Sequence, residues 1–340
     1  MPTVLELFEQ KEILNYLGNR QYPALLGETL FPEVKRQSLE FDAIVGASRI
    51  PVIASVHGFD TESEIGSREA SKMALELALI KRKLRMGERE IIALESPRND
   101  AEQQYLMSQV YNDIDVLVAG VRARAEAMRM EVLANGIVTL AENNLSATID
   151  YGVPAAHKVV LSGTDLWSDP DADPIADLME WAAALDVKPT RALASTKLLG
   201  TLVKHPKVVG ALYGVNGSNR MASRTELNAY LQQLDLPAIA VYDGKYKKQA
   251  ANGSYTTERY FPENKITLFG PDALGETIYG PTAEEIRLTR DPSIQTQTIG
   301  NVLAMVYEEG ADPVSTWTKA VATALPSFPE ADNVFQAQVL

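Results

Sequence analysis

The longest regular pattern in the chain runs over residues 100–134, where Leu106, Val110, Ile114, Leu117, Val121, Ala125, Met128 and Val132 recur at steps of three and four. That spacing is one face of an α-helix. Asp100 with Gln103 makes a capping box at its start, and Asn135-Gly136 supplies the stop. Such a helix is about 50 Å long at 1.5 Å per residue. Gly120 lies inside it and costs about 1 kcal/mol against alanine. Arg122 and Glu126 are spaced as an i,i+4 ion pair, expected on the outer face.

The chain before this helix is less compact in pattern. Residues 3–17 read as an amphipathic helix capped by Thr3, with Val4, Leu7, Phe8, Leu14 and Leu17 largely on one side. A helix of this length is marginal alone in water and has to dock. Gly18 and Asn19 end it, and Pro23 and Pro32 keep the following stretch extended. Residues 39–45 and 51–56 are strand-like, residues 57–72 are polar, and residues 73–86 turn apolar again with a basic tail. Over that last piece Leu75, Leu77 and Leu79 alternate as in a strand, whereas local propensity favours a helix; we read a strand. The whole then forms a long hairpin with limbs of about 40–50 Å. A hairpin of that length is not stable by itself and must lie on a neighbour.

Beyond the helix, strands are expected over 137–141, 146–151 and 158–161. Asp173 caps a helix with Pro174 in its first turn and Ile175, Leu178, Ala182 and Leu185 inside. A strand (191–195), two helices (197–204 and one from Ser223 or Thr225 to Leu234) and a strand (238–242) follow. Asn252-Gly253 marks a hairpin turn between Tyr246 and Tyr260. Further strands are expected over 266–269, 302–307, 316–324 and 334–339. The fold class is therefore mixed α+β, with a long solitary helix, an N-terminal arm and an oversized hairpin.

Composition narrows the function more than it suggests one. The chain has 340 residues, 46% of them hydrophobic, which suffices for a sizeable core without covalent staples. Its net charge of -13 argues against duplex nucleic-acid binding. With no cysteine, disulfides, thiolate catalysis and cysteine metal sites are excluded. No basic-then-apolar leader opens the chain and no apolar run is long enough for a membrane span, so a cytosolic origin is expected.

Candidate chemistry is sparse. His57, His157 and His205 each stand beside a turn signal or a lysine and lack an orienting partner; surface or turn histidines are the better reading. Asp169, Asp171 and Asp173 resemble the start of a calcium loop, but Pro174 occupies the place of its glycine, so helix capping is preferred. The basic cluster Lys81, Arg82, Lys83, Arg85 and Arg89 lacks interleaved aromatics. It reads as a solvated face, or as a partner for Glu62, Glu64 and Glu69 of another copy. Asn144, Asn216 and Asn252 open formal glycosylation motifs and read as turn residues. No catalytic, cofactor-binding or metal-binding residue is assigned.

A set of short segments, in their order, resembles the lambda-type capsid protein E family of tailed-bacteriophage major capsid proteins. They are Leu30-Phe31-Pro32-Glu33, Tyr260-Phe261-Pro262-Glu263-Asn264-Lys265 before Ile266–Gly270, and Ile278-Tyr279-Gly280. The run from Gly310-Ala311-Asp312-Pro313 through Pro329-Glu330-Ala331-Asp332 to Gln338-Val339 completes them, and the Asp169–Asp173 turn fits as well. The resemblance extends from about residue 30 to the end. It implies the Hong Kong 97 fold: an N-terminal arm (1–37), a peripheral domain (38–164) with an extended β-hairpin loop (46–86) and a spine helix (100–134), an axial domain (165–300), and C-terminal strands (301–340) returning to the peripheral domain.

It further implies hexamers and pentamers closing into an icosahedral virion head around double-stranded DNA, assembled in the host bacterial cytoplasm. Other copies of the chain, portal and scaffold proteins and a decoration protein are the implied partners, with no membrane and no cofactor. An acidic wall encloses DNA without gripping it. Two rival readings are an encapsulin-like bacterial compartment shell and a soluble α+β enzyme with a carboxylate site.

Overall fold

A computed structural model describes residues 22–45, 71–142, 145–214, 220–250, 252–289, 294–310 and 314–340. The helix expected over 3–17, the strand over 51–56, most of the polar stretch 57–72 and the Asn143-Asn144 turn lie outside these.

The elements in order are α1 (Leu26–Leu30), β1 (Glu33–Lys35), β2 (Glu40–Val45), β3 (Ser71–Glu76), β4 (Ala78–Met86), α2 (Glu88–Glu95), α3 (Asp100–Asn135), β5 (Ile137–Glu142) and β6 (Leu145–Asp150). Then come β7 (Lys158–Val160), α4 (Pro174–Ala184), β8 (Arg191–Ala194), α5 (Thr196–Leu202), α6 (Pro206–Tyr213), α7 (Arg224–Gln233), β9 (Ala238–Val241), β10 (Lys245–Gln249), β11 (Tyr255–Arg259) and β12 (Lys265–Phe269). The chain closes with β13 (Thr277–Gly280), α8 (Ala283–Arg287), β14 (Gln295–Ile299), β15 (Val302–Glu309), β16 (Ser315–Pro326) and β17 (Val334–Gln338).

The spine helix α3 matches the expected apolar stripe: Val110, Ile114, Leu117, Val121, Ala125, Met128 and Val132 are all buried. Its cap differs by one residue. Asn99 Oδ1 accepts from the Glu102 amide at 2.8 Å, and Glu102 reaches back to the Arg98 amide at 2.8 Å, so the cap is Asn99, one residue before the Asp100 expected. Gly136 closes the helix in the left-handed region (φ 70°), and an added Cβ there would lie 2.6 Å from Val153 Cγ2. Residues 24–30 are not wholly extended as the prolines suggested, because α1 inserts a short helical turn between Pro23 and Pro32.

Two sheets flank the spine. The first runs β1-β13-β16-β15-β14, with β4 also on β16. Residues 78–86 pair antiparallel with 316–324, so the segment with helical propensity is a strand. Tertiary pairing overrides propensity there. β2 and β3 pair from Glu40–Glu76 to Val45–Ser71, the base of the expected hairpin. The Leu75, Leu77, Leu79 alternation fails at its last member: Leu75 and Leu77 are buried, but Leu79 is 52% exposed. The chain changes partner at Leu77, whose amide bonds Leu39 O at 2.9 Å, and β4 starts with a new facing.

The second sheet runs β7-β17-β12-β8-β9 and carries helices α4 to α7 over a core that includes Trp167, Trp181, Leu198, Leu227 and Phe335. The C-terminal strands thus divide: β15 and β16 join the spine's sheet, and β17 joins this one. The lobes meet at the C-terminal end of α3. Helices leave their last carbonyls unpaired. Here Gln336 Nε2 donates to Val132 O (3.0 Å) and Leu133 O (2.9 Å), and Thr267 Oγ1 to Leu133 O (3.1 Å). Lys265 Nζ adds Asn135 Oδ1 (2.6 Å) and Ala134 O (3.4 Å). Burial and nearby Lys158 hold the Lys265 ammonium below the usual lysine range. A cation at a helix C-terminus is nonetheless well placed against the dipole.

Candidate assembly site

The N-terminal segment 22–36 lies along the spine, held by a buried charged hub. Gly27 permits the approach: its amide donates to Glu126 Oε1 at 2.9 Å, and an added Cβ would sit 2.3 Å from Glu126 Oε2. Glu126 and Arg129 are both fully buried side chains (0% exposed) and lie 3.5 Å apart. Arg129 also donates to Thr277 Oγ1 (2.7 Å) and Glu33 Oε1 (2.8 Å). Tyr242 OH donates to Glu126 Oε1 at 2.8 Å, bringing in the second lobe. Burial raises the Glu33 carboxyl, but hydrogen bonds from Arg129 and Asn301 outweigh it and hold the pKa below its ordinary value. Burial and the facing carboxylates push the Tyr242 and Tyr279 phenols up, so both stay protonated donors.

This hub corrects the sequence reading of Arg122 and Glu126. They are not an outer i,i+4 pair: Arg122 Nη2 pairs with Glu28 Oε1 at 2.6 Å, and Glu126 turns inward. The partners Gly27 and Tyr242 stand 99 and 116 residues away, so nothing local announced the hub. Its one sequence signal was Glu33 in the Leu30–Glu33 segment already singled out.

The basic cluster falls mainly on β4. Lys83 Nζ lies 3.8 Å from the Trp317 ring centre and 4.0 Å from Glu309, and Arg82 Nη2 donates to Gln249 Oε1 at 2.9 Å. Its proposed counterparts Glu62, Glu64 and Glu69 lie outside the described residues.

The other candidates resolve into structural roles. His205 is buried rather than on the surface; it caps α6, its Nε2 2.8 Å from Asp169 O. His157 ends a one-turn 3-10 helix beside Phe335, and His57 lies outside the described residues. Asp169 Oδ1 accepts from the Asp171 amide (3.0 Å) and Asp173 Oδ1 from the Ala176 amide (3.2 Å), so both carboxylates serve the turn and cap. Asn252 Oδ1 accepts from the Ser254 amide at 3.0 Å, a turn role as read. Among the described residues, no three His, Asp or Glu side chains are grouped to hold a metal ion. No described helix is long and apolar enough to cross a membrane.

A long spine helix, a sheet closed by C-terminal strands, a two-stranded hairpin base and a separate helix-flanked sheet define the Hong Kong 97-type phage capsid fold. The structure is similar to a prophage protein of E. coli CFT073 described as a capsid protein, with TM-score 0.62, 14% identity, and coverage of 97% of this chain and 99% of that one. It is also similar to a phage-related protein from Bordetella bronchiseptica RB50, with TM-score 0.53, 13% identity and 96% coverage of each. At these identities the likeness speaks to fold alone. In sequence, the chain is 32% identical over 97 residues to the major capsid protein of Pseudomonas phage JBD67, a match spanning 28% of this chain and 30% of that relative. Residues 10–339 match the family described as phage major capsid protein E, and the chain belongs to that family.

Proposed function

We propose that the chain is the structural subunit of a phage head, forming hexamers and pentamers that close into an icosahedral shell around double-stranded DNA. The observation that carries this reading is family membership across residues 10–339. Function then resides in self-association, each obligate contact burying about 2,000 Å² or more. On this reading residues 1–37 are the arm, 38–164 the peripheral domain with loop 46–86, 165–300 the axial domain around capsomer axes, and 301–340 the closing strands. Assembly in the host cytoplasm with a separate scaffold and a portal, and decoration by a further protein, belong to the same proposal. Quasi-equivalent packing asks one chain to make slightly different contacts, which extended arms and loops permit. Electron microscopy of the chain co-expressed with its scaffold tests it. Closed shells with residues 165–300 around the five- and sixfold axes support the reading. Closed shells carrying cargo enzyme instead of accepting DNA would favour a compartment protein.

A further inference from the structure

A groove of about 900 Å³ runs between β4, the middle of α3 and β10. Its floor is small: Ala119, Gly120, Ala123 and Ala127 of the spine line it. A Cβ built on Gly120 would meet nothing within 4 Å, so no described neighbour requires glycine at this unfavourable mid-helix position. The walls are basic, formed by Lys81, Arg82, Arg124, Lys245, Lys247 and Lys248. Glu142 is the carboxylate among the described lining residues, and it is already engaged by Arg124 (3.3 Å) and Lys248 (3.0 Å). Lys245 and Lys247 have no carboxylate partner among the described residues, whereas the charge of Lys81 already acts on Glu284. In a chain of net charge -13 this is a local inversion of sign.

Residues of both β4 and β10 line the same space. Among the described residues β4 pairs only with β16, and β10 only with β11. Each therefore has one edge that no described strand pairs, a template for a further strand. Lysines along such an edge repel the same edge of another copy, which guards against sheet-to-sheet zipping. They attract a strand of opposite charge. A nucleic-acid backbone would satisfy the lysines but not the paired donors and acceptors of a strand edge; an extended peptide satisfies both.

We propose that this groove binds an extended, Asp/Glu-rich peptide segment of a separate assembly partner, which adds as a strand beside β10 and pairs its carboxylates with Lys245 and Lys247. The groove belongs to the single subunit, so this binding goes beyond the shell reading and does not depend on shell closure. The test uses the full-length unassembled protein and three fluorescent probes: an Asp/Glu-rich twelve-residue peptide, a peptide of residues 57–72 of this chain, and a twelve-nucleotide single-stranded DNA. Anisotropy titrations are run at low and moderate salt. The acidic peptide is expected to bind best. The exposed double variant Lys245→Glu/Lys247→Glu should weaken it about tenfold or more, and added salt should weaken it as well. A peptide N-methylated at alternate amides should lose binding while keeping its charge. Unchanged binding by the double variant overturns the proposal, as does full binding by the N-methylated peptide. Tighter binding of the DNA assigns the groove to a polyanion, and tighter binding of the 57–72 peptide assigns it to a second copy; either result also overturns it. Circular dichroism of the double variant confirms that any loss is not misfolding.

Discussion

Replacing Arg129 by methionine isolates the hub that docks the N-terminal segment. Methionine conserves the volume of the aliphatic stem, so the change is mainly one of charge. Arg129 is fully buried and faces two carboxylates, Glu126 at 3.5 Å and Glu33 at 2.8 Å, as well as Thr277 Oγ1 at 2.7 Å. Removing one partner of a buried pair leaves uncompensated charge and costs about 3–5 kcal/mol. An unfolding entropy of about 2.1 cal/mol/K per residue, over 340 residues, is about 0.7 kcal/mol/K, so cooperative unfolding predicts a Tm lower by about 4–7 °C. Calorimetry of the unassembled subunit measures this. Limited trypsin digestion locates it: Lys35 and Arg36 end the docked segment, and β1 is held on β13 by register from Glu33–Thr277 to Lys35–Tyr279. Cleavage after Lys35 or Arg36 should therefore speed up before any cut in the second lobe. A Tm within about 1 °C of the parent, with an unchanged digestion pattern, would refute the assignment of the hub as the lock.

Other outcomes follow from the same geometry. Because the Glu33 pKa is depressed in the folded chain, its stabilising contribution is fully present above its ordinary value of 4.5 and is lost as pH falls through the depressed one; release of residues 22–36, read by cleavage within that segment by an acid-active protease, should begin below about pH 4.5 and not on the alkaline side. Gly136→Ala forces a left-handed residue against Val153 Cγ2 and should destabilise by more than 1 kcal/mol, by roughly 1–3, in urea unfolding, whereas Gly120→Ala should be neutral or stabilising in the unassembled subunit. Deleting residues 57–72 should leave the subunit folded by circular dichroism yet abolish closed shells under the electron microscope; normal particles would remove that segment from the assembly account.

The parts of the fold legible in the sequence were those set by local period and local chemistry. The α3 stripe persists for seven buried positions from Val110 to Val132, long enough for the helical period to dominate. Asp173 with Pro174 announced α4 because capping is a contact across three residues; the start of α7, left open between Ser223 and Thr225, is fixed by the box that Ser223 forms with Glu226. The short elements α2, α6, β13, α8 and β14 were missed; α6 carried a start signal in Pro206, but its His205 cap is an uncommon one. Leu79 was misplaced because strand facing depends on which strand lies alongside, and the change of partner at Leu77 is a tertiary event. The charged hub was illegible for the same reason. Two charges at Arg122 and Glu126 satisfy a helical-surface rule, and only the close approach of Gly27 and Tyr242 turns one of them inward. The basic cluster was visible, but its meaning changed once β10 was found across the groove from β4.

Self-assembly is read most directly from the mass of the particle this chain forms. Sedimentation velocity of the full chain, co-expressed with its scaffold, should show either capsomer rings of five or six copies or closed particles in the megadalton range. A single small species, a monomer or dimer that persists as concentration and scaffold are raised, would contradict it.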